Sequence, residues 1–134
     1  MKLSTRATLV LVLLGLLLLP LLLGCTSTPP SAEVVQDLSA AEMIQRAQEL
    51  SDLNDWAGAS AWYQATLVKF ADDLDVSTMC RYELAFVSYK QGRYSEAETQ
   101  FRALLNDYNG PDGAYMPPRF YTLAQKVLET IAGK

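Results

Sequence analysis

Histidine is absent from the 134 residues. Ser-His-Asp catalysis, Cys-His catalysis and His-ligated metal sites are excluded together. Positive charge is also sparse. With Met1–Gly24 set aside, nine Lys and Arg stand against fifteen Asp and Glu, a balance of −6. That balance argues against a nucleic-acid binder, because phosphate contacts need clustered basic side chains. No alternating apolar pattern of useful length marks a β-strand. What the chain has in excess is apolar: 50% of its residues are hydrophobic, and the mean hydropathy is +0.06. The run Leu9–Leu23 supplies much of that figure. Some 110 residues remain after it, enough for one small domain.

Met1-Lys2-Leu3-Ser4-Thr5-Arg6 carries two positive charges and no negative one, and the apolar run follows. This is the order of a secretory signal. Gly15 and Pro20 interrupt the run, which is shorter than the roughly 20 apolar residues a spanning helix needs. It ends in Leu22-Leu23-Gly24-Cys25, which resembles the bacterial lipobox. The resemblance implies cleavage after residue 24 and lipid on Cys25, which becomes the first mature residue. Several acyl chains, each worth about 0.8 kcal/mol per buried CH₂, then make a lasting anchor. In lipoproteins of diderm bacteria an Asp after the cysteine is associated with inner-membrane retention. Thr26 in that place implies the outer membrane, facing the periplasm. Residues 25–38 read as a flexible Ser/Thr/Pro tether, reaching at most about 45 Å at 3.3–3.6 Å per residue.

Residues 39–134 read as all-α. Ser39-Ala40-Ala41-Glu42 is a capping box, with Leu38 and Met43 as a hydrophobic staple. Met43, Ala47 and Leu50 recur at helical spacing. A second helix is expected from about Trp56 to Phe70, and a third over Ser77–Gln91, capped by Asp75 or Ser77 and stopped at Gly92. Ser95 and Glu98 form another S-x-x-E box, opening a fourth helix to about Tyr108. After the turn-rich Asn109–Gly113, Pro117-Pro118 presets a fifth helix ending near Ile131.

A shift of 38 residues superposes Ala47 on Ala85, Asn54 on Gly92, Trp56 on Tyr94, Ala59 on Ala97, Tyr63 on Phe101, Leu67 on Leu105 and Phe70 on Tyr108. Small residues meet small ones and aromatics meet aromatics, as stacked helix hairpins require. Leu84-Ala85, Gly92-Arg93-Tyr94, Ala97 and Phe101 resemble a tetratricopeptide repeat. The units span about 39–71 and 77–109, with 118–131 as a capping helix, so the expected fold is a short α-solenoid. The first unit departs from the pattern, with Arg46 in place of the leucine and Asn54 in place of the turn glycine.

In the repeat family the helix-A stripe lines a concave groove for peptides. Carried onto this sequence, that groove is Met79, Tyr82, Phe86, Tyr89 and Lys90. The alternative is that these aromatics pack on the last helix or the linker. Asp72-Asp73-Leu74-Asp75 fails as a calcium loop, because Thr78 and Leu84 stand where a glycine and a carboxylate are needed. Cys80, the one thiol besides Cys25, reads as a buried packing residue, and without a histidine it has no base. Glu96 and Glu98 point to different helix faces. No catalytic residue, metal or cofactor is assigned. The expected function is a membrane-anchored, non-enzymatic protein–protein interaction scaffold in a bacterial envelope complex, similar to repeat lipoproteins of the β-barrel assembly type. Two units bury too little core for full stability, so docking on a partner or self-association is expected. The other class is a small-ligand-binding lipoprotein that serves a periplasmic solute transporter.

Overall fold

The computed structural model describes residues 29–134. The signal segment, the lipidation of Cys25 and the start of the tether lie outside the described residues. The elements are α1 (Ala32–Asp37), α2 (Ala40–Asp52), α3 (Trp56–Lys69), α4 (Leu74–Lys90), α5 (Tyr94–Asp107), a 3-10 turn (Gly113–Tyr115) and α6 (Pro118–Ala132). No strand occurs among the described residues, and the helices pack in sequence order as a short solenoid. None of them is long and apolar enough to cross a membrane.

The caps explain most boundaries. Ser39 and Glu42 form the reciprocal box at the start of α2, which satisfies two donors that a helix leaves orphaned. Asp55 accepts from the Gly58 amide to start α3. Two expected starts are corrected. Asp73, rather than Asp75 or Ser77, caps α4 by accepting from the Val76 amide at 3.0 Å, so α4 begins at Leu74. The Ser95–Glu98 box does not form. The preceding turn fixes the start of α5 at Tyr94, so Ser95 falls inside the first turn and Glu98 accepts from Arg102 instead.

That turn is the same in both units. Asn54 has φ +59° and Gly92 has φ +75°, the left-handed region that Gly enters without penalty and Asn tolerates. The amide of Asp55 donates to the Leu50 carbonyl at 2.9 Å, and that of Arg93 to the Ser88 carbonyl at 3.0 Å. Asn54 bonds Ser51, and Gly92 bonds Tyr89, at 3.0 Å each. Every pair is related by the 38-residue shift. Asn54 therefore does the work of the glycine it replaces.

The burial repeats as well. Ala47, Ala85, Ala59 and Ala97 are all fully buried, as are Tyr63 and Phe101. Each of those two rings contributes roughly 1.5–3 kcal/mol by leaving water. One core cluster holds Ala47, Ala59, Tyr63, Cys80 and Val87. The second holds Tyr82, Ala85, Phe101, Leu104, Phe120 and Ala124. Helix α4 supplies both, with Cys80 and Val87 facing the first unit and Tyr82 and Ala85 facing the second. That is why it is apolar nearly all round.

The tether is not extended throughout. Ser31 caps α1, and the Lys69 ammonium donates to the carbonyls of Val35, Gln36 and Leu38 at 2.7–2.9 Å. Three carbonyls at the end of a short helix thus gain a cation. The helix buries no residue of its own, which is why apolar periodicity does not announce it. At the other end, the Tyr108 hydroxyl donates to the Pro117 carbonyl at 2.6 Å, fixing α6 against α5. Gly113 lies so close to the Tyr108 carbonyl that an added Cβ would meet its oxygen at 2.1 Å.

Candidate binding cleft

The two helices of the first unit and the first helix of the second leave a hollow between them. Between α2, the start of α3 and α4 this hollow is a cleft of about 400 Å³, open on one side. Gln48, Ser51 and Asp52 form one wall, Trp56 and Tyr63 the floor, and Glu83, Phe86, Val87 and Lys90 the other wall. The 38-residue shift carries Gln48, Ser51 and Asp52 onto Phe86, Tyr89 and Lys90. Two of these three pairs, Gln48 with Phe86 and Asp52 with Lys90, line the cleft, so the inner surface of the solenoid is built there in part from matching positions of both units.

The expected groove residues separate on this surface. Phe86 and Lys90 line the cleft. Tyr82 does not: it is 7% exposed, with its ring 5.5 Å from Phe101 and 5.4 Å from Phe120. Met79 and Tyr89 pack against the same cluster, and Tyr89 also lies 5.8 Å from Phe86 and 5.7 Å from Tyr94. The Lys134 ammonium lies over Tyr89 and bonds the Tyr94 hydroxyl at 2.8 Å. The reason is α6. It sits where the first helix of a third unit would sit, and its Phe120 and Ala124 cover the lower part of the aromatic stripe. Only the upper part faces the open side.

Glu83 is the residue in the cleft that sequence reasoning passed over. It stands mid-helix on α4, where a glutamate ordinarily reads as solvated. Here it is only partly exposed, and burial pushes its carboxyl above the ordinary glutamate range. Among the described residues no hydrogen bond or ion pair reaches that carboxylate. Its charge adds to the burial that raises the Tyr63 and Tyr82 phenols, and to the burial that pushes the Cys80 thiol up to about 12. Lys90 stands two turns further along α4 and forms no ion pair with Glu83 among the described residues. The first-unit wall was within reach of the repeat arithmetic, since shifting Phe86, Tyr89 and Lys90 back by 38 gives Gln48, Ser51 and Asp52. Nothing in the periodicity marks Glu83.

Cys80 is fully buried and has no role at the surface. Among the described residues no three metal-ligating side chains stand together.

Fold and cleft define the class: an all-α chain of stacked helix hairpins with an open inner face. No family model matches the sequence, and no solved structure matches it. An "Uncharacterized protein" of Treponema pallidum (strain Nichols) is 29% identical over 102 residues. The match covers 76% of this chain and 41% of that protein, so the chain spans about two-fifths of the relative's length.

Proposed function

We propose that this chain is a lipid-anchored, non-enzymatic interaction module of the bacterial envelope, and that its inner cleft holds a segment of a partner protein. The observation that carries the reading is the cleft itself. Equivalent positions of two tetratricopeptide-like units converge on one open hollow, with Trp56 and Phe86 on its surface and a half-buried Glu83 carboxylate that has no ion pair among the described residues. Aromatic side chains beside a few convergent polar groups are what recognition sites use. The lipobox resemblance at Cys25 supports the anchor, and Thr26 supports the outer membrane as its location. The relative in a bacterium agrees with a bacterial setting.

The cleft volume also falls within the span of small-molecule sites, which keeps the transporter-associated reading as the second one. Its open side favours an extended segment over an enclosed ligand. The test is affinity purification from native membranes of the wild-type chain and of Gln48→Trp. Gln48 is exposed on the rim, so an indole there fills the cleft without entering the core. A partner that co-purifies with wild type and is lost from Gln48→Trp, with the circular dichroism unchanged, supports the module. Equal recovery from both would refute it.

A further inference from the structure

We infer that the cleft is a pocket for one basic side chain of the docked segment, arginine in preference to lysine, with Glu83 as its counter-charge. The inference rests on the interaction-module reading and names the chemistry of the occupant.

The groups around the hollow leave little choice of sign. On α4, Glu83 brings a carboxylate with no hydrogen bond or ion pair among the described residues. On α2, Asp52 adds a second carboxylate at the rim. Lys90 is the one cation among the described lining residues, and it forms no ion pair with Glu83. The basic side chains elsewhere on these helices are engaged: Arg46 lies over Trp62, 5.1 Å from its ring centre, and Arg81 pairs with Asp107. An acidic occupant would meet like charge. A purely apolar one would seal a carboxylate away from water with no partner, which is strongly unfavourable. A guanidinium completes the site. Its fork meets the Glu83 carboxylate, and its planar face stacks on an aromatic ring of the kind Trp56 and Phe86 provide. A carboxylate held with its charge partly desolvated and unpaired lowers the stability of the free protein, and such groups concentrate at functional sites.

The experiment displays random short peptides on phage and selects them on the immobilised full chain. Selected peptides are then titrated against wild type, Glu83→Gln and Gln48→Trp, each checked for helicity. The expected result is a family of peptides with a basic residue, Arg more often than Lys, at one fixed place beside apolar residues. Replacing that residue by Ala, or Glu83 by Gln, weakens binding by about tenfold or more, as losing a charge-assisted hydrogen bond does. Gln48→Trp removes binding. Peptides without a fixed basic residue, or equal binding by Glu83→Gln, overturn the inference while loss in Gln48→Trp keeps the module reading. No enrichment, or binding indifferent to Gln48→Trp, overturns both.

Discussion

The place of α6 as a cover for the second unit is open to a quantitative test through two neighbouring residues. Phe120 is 5% exposed and packs on Tyr82, in one cluster with Phe101, Met116 and Ala124. Leu123, three positions on, is 39% exposed. Truncating a buried Phe to Ala removes its transfer energy and leaves a cavity, about 3–5 kcal/mol together. A domain of this size holds about 5–15 kcal/mol in all, and each kcal/mol moves its midpoint by about 4–8 °C. Phe120→Ala is therefore expected to lower Tm by roughly 12 °C or more, whereas Leu123→Ala should stay within about 0.5 kcal/mol of wild type. Thermal and urea unfolding followed at 222 nm give both numbers. Because each unit touches only its neighbours, amide exchange should quicken in α4, α5 and α6 before α2 and α3. Equal midpoints for the two variants would refute the seat of α6 on Tyr82.

Other expectations follow from single residues. Gly92→Ala forces a Cβ into the left-handed region and should cost about 1–2 kcal/mol, while Asn54→Gly should be neutral or stabilising by a few tenths, read from urea midpoints. Glu83 has a raised carboxyl in the folded state, so the stability linked to it is present below the ordinary glutamate range and is lost as pH rises through the folded value. Glu83→Gln should thus match wild type in acid and exceed it at neutral pH; a Tm difference of opposite sign, or one independent of pH, contradicts this. The Cys80 thiol, buried and pushed up to about 12, should resist a thiol reagent at mildly alkaline pH until urea unfolds the chain. Lys69→Met removes the three bonds that hold α1, and should speed proteolysis between residues 32 and 38 with little change in Tm.

The helical class, the five long helices and the 38-residue repeat were legible because they rest on periodicity, caps and small-residue spacing. The equivalence of Asn54 and Gly92 came from alignment alone, and the positive φ at both gives it a physical basis. Starts of helices were less legible where several cap residues compete, as at Asp73 against Asp75 and Ser77, because closing bonds in the preceding turn decide between them. α1 was invisible because it buries nothing and depends on Lys69, more than thirty residues away. The aromatic stripe on α4 was found, but a helix face does not declare which element covers it. The covering residues Phe120 and Ala124 follow a turn whose direction the sequence leaves open. Glu83 escaped for the same reason, since its surroundings come from α2 and α3.

The proposed function requires that the inner face, and no other, receives a partner. Photo-crosslinking in the native host tests it, with the reactive group placed at Lys90 on the cleft rim and, as control, at Val68, which is 81% exposed on α3 outside the cleft. A discrete adduct with an envelope protein from Lys90 and none from Val68 is the predicted result. The same adduct from both positions, or none from Lys90 in a folded chain, would contradict it.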